Sequence, residues 1–362
     1  MTRYDLVADE LADLLSGEPA YRLRQLKEGL YSELTEPGEL TTLPRSLRAR
    51  LAADPRLEPA FAMTREERAD GGQTIKWLLE GSGGAPVETV LMAYPKRTTV
   101  CVSSQAGCAM ACSFCATGQL GYSRQLTTGE IVEQVVLAAR TARDEGFGRL
   151  TNVVFMGMGE PLANYGNVFS AIRRCHDDLG LGARSFTVST VGIVPGIARM
   201  SKESLPVNLA LSLHAARDEL RDELVPVNRR YPLASLAEVC RLYLERTGRR
   251  LSLEWALIDG TNDTDRDALE LAGFARPLRA HVNLIPLNPT PGFLVAGSPR
   301  RRIREFRHLL SSEGVNATIR DTRGREANAA CGQLAAGLEP GTLSRRLPRT
   351  TRGSLAAPPA TA

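Results

Sequence analysis

Residues 108–115 of this 362-residue chain read CAMACSFC and place Cys108, Cys112 and Cys115 in a C-x₃-C-x₂-C spacing. Three thiolates on one short loop can bind three irons of a [4Fe–4S] cluster, which normally takes four cysteine ligands. The remaining iron is then open to another ligand. An amino group and a carboxylate suit such an iron, and the methionine part of S-adenosylmethionine carries both. The stretch therefore predicts one [4Fe–4S] cluster that works with S-adenosylmethionine.

Around this loop the chain alternates between predicted strands and helices. The strands are mostly continuous apolar runs at 98–104, 150–157, 185–190, 207–213, 251–258 and 281–287. Helical patterns separate them near 127–143, 164–178, 194–202, 234–247, 263–276 and 299–313. Apolar strands that alternate with helices are typical of a parallel sheet covered on both faces. Because six such units are too few for a full eight-stranded barrel, we expect an α/β fold with an open, partial (β/α)₆ barrel.

We divide the chain into four regions, namely 1–70, 71–97, 98–335 and 336–362. The first is predicted to be a small helical domain, because Leu23, Leu26, Leu30 and Leu34 repeat at helical spacing. The second is predicted to be a connecting β-hairpin, since two strand-forming runs flank a Gly/Ser segment. The third contains the barrel. The last is basic and rich in Pro, Ala and Thr, so we expect it to be disordered.

Composition excludes several classes of protein. Hydrophobic residues make up 43% and charged residues 24%, as in ordinary globular proteins. We find neither a targeting segment nor an apolar run long enough to span a membrane, and seven cysteines do not suit a secreted disulfide scaffold. We therefore expect a cytoplasmic protein with reactive or metal-bound thiols. The net charge of +4 is modest, but clustered arginines favour a polyanionic partner.

Polar residues follow several of the predicted strands at their carboxyl ends. They are Gly159 and Glu160, Ser189, Ser212 with Leu213 and His214, and Asn288. In β/α barrels this end of the sheet carries the active site. Glu160 is suited to accept hydrogen bonds from the ammonium of S-adenosylmethionine, and Gly159 lets the backbone approach it without a Cβ. Ser189, Ser212 and Asn288 are suited to hold its ribose and carboxylate.

Each of these features also has a simpler interpretation. The three cysteines could bind structural zinc with Cys101 as fourth ligand, although zinc sites usually use paired C-x₂₋₄-C knuckles. The glycines before Glu160 could form only a tight turn. His214 could be a structural histidine, and Asn288 before a proline could be a turn former. Their shared position at the strand ends favours a site.

The chain resembles the radical-SAM adenine C2 methyltransferases that act on 23S rRNA and tRNA, from roughly Tyr21 to Leu334. The matching motifs are Tyr94-Pro95-x-Arg97-x-x-x-Cys101, CVSSQAGCAMACSFCATG, FMGMGEPLANY, ALSLHA, RDELVPVNRRYPL, NLIPLNP and TRG-x-x-x-x-AACGQL. The last motif, at 322–334, contains Cys331 and is absent from generic radical-SAM enzymes. The resemblance implies that Cys108, Cys112 and Cys115 hold the cluster. It implies that S-adenosylmethionine is bound by Gly159, Glu160, Ser189, Ser212, Leu213, His214 and Asn288.

The resemblance also implies a reaction. Cys331 carries the methyl group, Cys101 is its partner, and Glu88 is the proton acceptor. Two molecules of S-adenosylmethionine are consumed per methylation, which passes through a methyl-cysteine and a transient protein–RNA crosslink and leaves a Cys101–Cys331 disulfide. The implied targets are an adenosine at the peptidyl transferase centre of 23S rRNA and an adenosine next to the anticodon of tRNAs. A monomer reduced by a donor such as flavodoxin or ferredoxin is implied as well.

The sequence departs from the pattern of the family at two positions. Val191 stands where many relatives have a hydroxyl, and Leu287 where some have a tryptophan, which affects the packing of the pocket.

Two alternative functions remain. One is a sister enzyme that methylates adenine carbon 8 and confers antibiotic resistance, which shares the cluster and both further cysteines. A zinc-dependent RNA-binding protein without catalysis is the alternative from another class.

Overall fold

The computed structural model describes residues 2–81, 84–288, 290, 293, 295–321, 323–324, 326–330 and 332–334. Cys331 and the predicted tail at 336–362 lie outside these residues. The strands are β1 (Phe61–Ala69), β2 (Thr74–Gly81), β3 (Val87–Tyr94), β4 (Arg97–Cys101), β5 (Gln105–Gly107), β6 (Tyr122–Gln125), β7 (Asn152–Phe155), β8 (Phe186–Thr190), β9 (Asn208–Ser212), β10 (Leu251–Leu257), β11 (His281–Pro286) and β12 (Ala317–Ile319). The helices are α1 (Ala8–Asp13), α2 (Tyr21–Lys27), α3 (Arg45–Ala52), α4 (Ala116–Leu120), α5 (Thr128–Asp144), α6 (Tyr165–Asp177), α7 (Val194–Met200), α8 (Asp218–Leu224), α9 (Leu233–Thr247), α10 (Asp265–Ala275) and α11 (Arg300–Ser312).

The predicted partial barrel is confirmed. Ten strands form one sheet in the order β1-β2-β3-β4-β7-β8-β9-β10-β11-β12. Strands β4 and β7 to β12 are mutually parallel, and each of the six predicted barrel strands overlaps one of them. The strands are buried because helices cover the outer face, as the apolar runs predict. All their carboxyl ends meet at one rim, and most of the predicted cofactor-binding residues lie there.

Helix α5 shows how local sequence fixes the elements around the rim. Thr127 is its N-cap, and its hydroxyl accepts a hydrogen bond from the Glu130 amide at 3.2 Å. The Glu130 carboxylate in turn accepts a hydrogen bond from the Thr127 amide at 2.9 Å. This reciprocal capping box satisfies two amides that the first helical turn leaves without partners. The start of α5 is thereby fixed directly after β6.

The prediction of a helical region over 1–70 is wrong at its end. Residues Phe61–Ala69 form β1, which pairs antiparallel with β2 from Phe61↔Gly81 to Ala69↔Thr74. The segment FAMTREERA shows no alternation of apolar and polar residues, because most of this strand is exposed at the edge of the sheet. Charged residues on an edge strand also oppose pairing with a further chain. The predicted hairpin of β2 and β3 is present, and β3 pairs with β4, so the hairpin extends the barrel sheet.

The helices of the N-terminal region pack against the barrel. Leu26 and Leu30 are fully buried, as their spacing predicts, and belong to the same apolar core as the barrel strands. Arg3, which is 2% exposed, forms ion pairs with Glu36 and with Glu133 of α5. These contacts anchor the start of the chain on α5. None of the described helices has the length and apolar character needed to cross a membrane.

Candidate active site

The three-cysteine loop is held between a small hairpin and α4. Strands β5 and β6 pair antiparallel, and the Cys108 amide donates to the Gly121 carbonyl at 2.8 Å. Gly107 has φ +74°, and a Cβ there would lie 2.0 Å from the Gly121 oxygen, so this turn requires glycine. The Ser113 amide donates to the Leu224 carbonyl at 3.2 Å, which ties the loop to the end of α8. The loop is therefore a fixed support for its thiols.

The thiols of this loop fit a cubane cluster. Burial raises the pKa of Cys108 to about 12 and that of Cys112 well above its usual value, and the Cys115 thiolate would further repel charge on both. Soft thiolate ligands suit iron–sulfur clusters, and binding requires that the thiols lose their protons. No three His, Cys, Asp or Glu side chains among the described residues are grouped as ligands of a single metal ion. A cubane makes no such demand, since each of its thiolates binds a different iron.

The structure brings most of the predicted residues to one cavity at the rim, which we call the main cavity. Its walls include Cys112, Cys115, Gly159, Glu160, Ser189, Ser212, His214 and Asn288. The hydroxyls of Ser189 and Ser212, from the ends of β8 and β9, lie 3.2 Å apart. A Cβ at Gly159, where φ is +98°, would lie 2.6 Å from the Gln105 side chain, so the close approach of these loops requires glycine. The cavity thus combines soft sulfur ligands with a ring of small polar groups.

Glu160 is the carboxylate of this cavity. It is 2% exposed, and its two oxygens accept hydrogen bonds from the Leu162 amide at 3.0 Å and the Val191 amide at 2.9 Å. Burial raises its pKa to about 7, although these amides oppose the shift. A carboxylate has about four acceptor positions, so Glu160 can still accept a further hydrogen bond from a ligand. An ammonium group would restore the charged form of this carboxylate, because an opposite charge nearby lowers a raised pKa.

His214 is a neutral hydrogen-bond donor toward the same cavity. Burial lowers its pKa to about 3, and the charge of Arg221 adds to the effect. Its Nδ1 accepts a hydrogen bond from the Ala256 amide at 3.0 Å, which assigns the proton to Nε2. The ring packs edge-on against Phe114 of the cysteine loop, with centroids 4.7 Å apart. His214 can therefore donate to a ligand beside the loop without carrying charge.

Arg221 is a buried residue beside the predicted site that the sequence reasoning did not single out, although it begins the RDELVP motif. It is fully buried and donates to the carbonyls of Val191 at 2.6 Å and Leu213 at 3.0 Å. It also donates to the Asn228 side chain at 2.7 Å. Burial lowers its pKa to about 10. Arg221 therefore joins the chain beyond β8 to the chain beyond β9, where the predicted cofactor-binding residues lie.

We expect Arg221→Met to destabilise the protein and to weaken binding of S-adenosylmethionine. The substitution removes the hydrogen bonds to the Val191 and Leu213 carbonyls and to the Asn228 side chain, which costs about 2–4 kcal/mol in unfolding free energy. Denaturant unfolding measures the stability and calorimetry measures the binding. Arg241→Met is the matched control, because Arg241 is 62% exposed in an i,i+4 pair with Glu245 at 2.6 Å. That exposed pair contributes less than about 1 kcal/mol. Equal stability of the two variants would contradict a bracing role for Arg221.

The structure places four of the predicted residues away from the walls of the main cavity. Cys108 is half-buried at the start of the loop. The Leu213 side chain is buried in the apolar core, and its amide and carbonyl bond to the Glu254 carbonyl and to Arg221. Glu88 is buried on β3 and forms an ion pair with Lys76 at 3.2 Å. Any contact of Leu213 with a ligand would thus not involve its side chain, and its role stays a prediction.

Cys101, the fourth of these residues, lines an adjoining space, which we call the side chamber. Met92, Tyr94, Cys101 and Ala330 are among its walls. It shares Met156, Ile285, Asn288, Arg320 and Leu334 with the main cavity. Gly332 lines the main cavity, and its carbonyl accepts from the Ala116 amide at 2.8 Å. The residues on either side of position 331 therefore each line one of the two spaces.

Glu254 and Arg320 are further polar residues at this junction that sequence reasoning missed. Glu254 lies on β10 and is 4% exposed, and it accepts from Asn283 at 2.9 Å and lies 3.8 Å from Arg320. Burial raises its pKa. A signal was available, because Glu254 interrupts the otherwise apolar run LSLEWALI. A charged residue inside a buried strand requires a partner, and the partner marks a polar interior.

Comparisons with known proteins agree with this geometry. Residues 102–272 match the radical SAM superfamily. The chain is 50% identical to the probable dual-specificity RNA methyltransferase RlmN of Chloroflexus aurantiacus, covering 92% of each chain. It is 52% identical to the protein of the same name from Parafrankia sp., covering 94% of this chain and 92% of that one. The chain belongs to the RlmN family of radical SAM RNA methyltransferases.

A solved structure supports the same family. The crystal structure of a radical SAM methyltransferase from Sphaerobacter thermophilus matches with a TM-score of 0.89 at 50% identity, covering 93% of this chain and 99% of that one. The resemblance and the fold predicted from the sequence are thereby confirmed. Radical SAM membership implies a [4Fe–4S] cluster and S-adenosylmethionine, which suit the donors of the main cavity. Because the chain belongs to the RlmN family, the alternative of a non-catalytic zinc protein is not supported.

Proposed function

We propose that this chain methylates carbon 2 of one adenosine at the peptidyl transferase centre of 23S rRNA and of one adenosine next to the anticodon in tRNAs. The observation that carries the proposal is the position of the residues that flank Cys331. Ala330 lines the side chamber together with Cys101, whereas Gly332 lines the main cavity together with Cys112 and Cys115. A segment that borders both spaces suits a cysteine that takes part in both halves of one reaction.

In this proposal Cys108, Cys112 and Cys115 hold the cluster. When bound, the cluster supplies the electron that cleaves S-adenosylmethionine and so generates a radical. Glu160 accepts hydrogen bonds from the ammonium of S-adenosylmethionine, and His214 donates from Nε2. Gly159 gives close backbone approach, while Ser189, Ser212 and Asn288 bind its ribose and carboxylate. Any contact of Leu213 with the cofactor would be made by its backbone. The buried, largely apolar cavity excludes water from this chemistry.

The further cysteines are proposed to carry and release the methyl group. Carbon 2 of adenine is not nucleophilic, so it does not displace a sulfonium methyl directly. Cys331 takes a methyl group first. The radical derived from the second S-adenosylmethionine then takes one hydrogen atom from this S-methyl group. The remaining methylene bonds to the adenine as a protein–RNA crosslink, and the adduct would return the electron that the cluster supplied. Glu88 accepts the proton that the base must lose. Cys101 attacks the Cys331 sulfur, so that the sulfur–sulfur bond forms as the sulfur–carbon bond breaks. The methylene carbon keeps the electron pair and takes a proton from water, which completes the methyl group and leaves a disulfide between the two cysteines.

Two molecules of S-adenosylmethionine are consumed in this scheme, one by displacement and one by reductive cleavage. The electron donor, expected to be a flavodoxin or ferredoxin, stays a prediction from the resemblance, as do the monomeric state and the cytoplasmic location.

The N-terminal region at 1–70 is proposed to bind RNA phosphates, and the target adenosine must be unstacked to enter the cavity. Some of its basic residues are already paired. Lys27 lies 2.7 Å from Asp178, and Arg24 lies 3.7 Å from Glu28. Arg22 donates to Gln25 at 2.7 Å. RNA would therefore have to displace these partners, which makes this part of the proposal distinct from the chemistry and separately testable.

Mass spectrometry of RNA nucleosides tests the function. We expect 2-methyladenosine to be absent from a strain that lacks this gene, to return with the wild-type gene, and to stay absent with Cys331→Ala. The experiment also resolves the alternative position, because 8-methyladenosine in the complemented strain would replace carbon 2 by carbon 8. Persistence of 2-methyladenosine in a deletion strain without a second copy of the gene would refute the proposal.

A further inference from the structure

A buried chain of charged residues leads away from Glu88 on the same face of the sheet as Cys101. Register places Glu67, Lys76, Val90 and Cys101 side by side on β1, β2, β3 and β4. Residues directly opposite each other in adjacent strands point to the same face. Glu88 lies two residues from Val90, so it also points to this face. Thr89, between them, donates at 2.7 Å to Gln134 of α5 on the other face.

The charged groups of this row are in contact. The Lys76 ammonium lies 3.2 Å from Glu88 Oε1 and 2.9 Å from Glu67 Oε2. Side-chain exposure rises outward, from 2% at Glu88 and 6% at Lys76 to 28% at Glu67. Glu67 is thus the first of the three to meet water. The row is a connected path of ionisable groups from a buried carboxylate to the surface.

We propose that Lys76 and Glu67 form the proton path that takes the proton of the base from Glu88 as the crosslink is resolved, so that resolution is only as fast as this path carries the proton away. The inference rests on the proposed function, in which Glu88 is the proton acceptor. Lys76 is a positioning residue in this account, because it acts through Glu88. Its ammonium lies 3.2 Å from Glu88 Oε1 and so holds the carboxylate in place. A second carboxylate beyond the lysine then provides the exit.

The proton count closes without any additional reactant. The proton lost by the adenine carbon goes to a carboxylate oxygen of Glu88, and its bonding electrons stay with the ring. Lys76 gives one ammonium proton to Glu67 and receives the proton from Glu88. Lysine therefore ends as the ammonium that it was, and Glu88 ends as a carboxylate. Glu67 releases the proton to water, to which it is exposed.

A purely structural ion pair would have a different signature. Loss of such a pair would reduce folding stability and slow every step in proportion to the loss of folded enzyme. A proton path slows only the step at which the crosslink is resolved, and leaves earlier steps unchanged. The lifetime of the crosslink, relative to formation of 5′-deoxyadenosine in the first turnover, separates the two roles.

The test uses the full-length, cluster-reconstituted enzyme with a tRNA substrate in a single turnover. The covalent protein–RNA species is followed on denaturing gels, and 5′-deoxyadenosine is quantified in the same samples. We expect Lys76→Met and Glu67→Gln each to prolong the crosslink at least about tenfold, since positioned proton transfer contributes about 10²–10⁴-fold. Glu66→Gln is the matched control, because this neighbour faces the other side of the sheet and bonds to Arg68 and Trp77.

Four outcomes are decisive. A prolonged crosslink in both Lys76→Met and Glu67→Gln, with normal 5′-deoxyadenosine formation and a normal Glu66→Gln, supports the path. A wild-type lifetime in either variant overturns it. The Glu67 side chain is only partly buried, so Glu67→Gln is expected to fold. This variant can therefore test the path even if Lys76→Met does not fold. Glu88→Gln separates the two levels. A wild-type lifetime in Glu88→Gln refutes the acceptor role itself, whereas a prolonged lifetime there alone refutes only the path.

Discussion

Cys101→Ala is expected to leave the protein covalently joined to its RNA. In the proposed reaction only the Cys101 thiolate can attack the Cys331 sulfur and release the methylated base. Without it, each chain makes at most one crosslink, and multiple turnover is lost. The side-chamber position of Cys101 beside Ala330 is what suits it to this attack. Denaturing gels with labelled tRNA, followed by nuclease digestion and mass spectrometry, measure the trapped species.

Two further cysteine variants make this result specific. Cys331→Ala is expected to give neither crosslink nor product, because it removes the methyl carrier. Cys240→Ala is expected to turn over normally, because Cys240 is fully buried on α9 away from both spaces. Sustained turnover by Cys101→Ala would contradict the assignment of Cys101, whatever the other two variants do.

The barrel could be predicted because its strands are mostly apolar runs that are recognisable in the sequence. Runs such as LSLEWALI are mostly apolar, and that pattern suits a parallel sheet covered by helices. The rim followed from one rule, that polar residues after such strands meet at their carboxyl ends. Ser189 and Ser212 do meet there, 3.2 Å apart. The local pattern and the global fold point to the same site.

Cross-strand placement could not be read in the same way. Strand β1 was missed because its exposed residues carry charge on both faces, which no period of two reveals. The row from Glu67 to Cys101 depends on the register of four strands, and register is set by pairing between segments that are distant in the chain. Lys76 therefore showed no sign in the sequence of its contact with Glu88. Arg221 was missed for a related reason, because its acceptors are backbone carbonyls of two other strands' ends.

Cys112→Ala is expected to remove the iron of the purified protein and all chemistry that depends on it. The wild-type chain, purified without oxygen and reconstituted, should be brown and contain roughly four irons. Cys112, which is buried, lines the main cavity, and among the described residues Cys115 is the only other cysteine that does so. Because the loop then keeps only two of its three thiol ligands, we expect the iron content to fall below about one iron atom per chain.

The contrast with Cys101→Ala decides between a three-cysteine cluster and a site that recruits Cys101 as a ligand. Cys101→Ala should retain the full iron content and the brown colour, and should still cleave S-adenosylmethionine. Cys112→Ala should lose all three. If Cys101→Ala lost its metal in the same way, Cys101 would be a ligand and could not also be the thiol that releases the RNA. Iron content therefore tests whether the two roles are separate. The three-cysteine loop binds the cluster, whereas Cys331 carries the methyl group and Cys101 releases the methylated base.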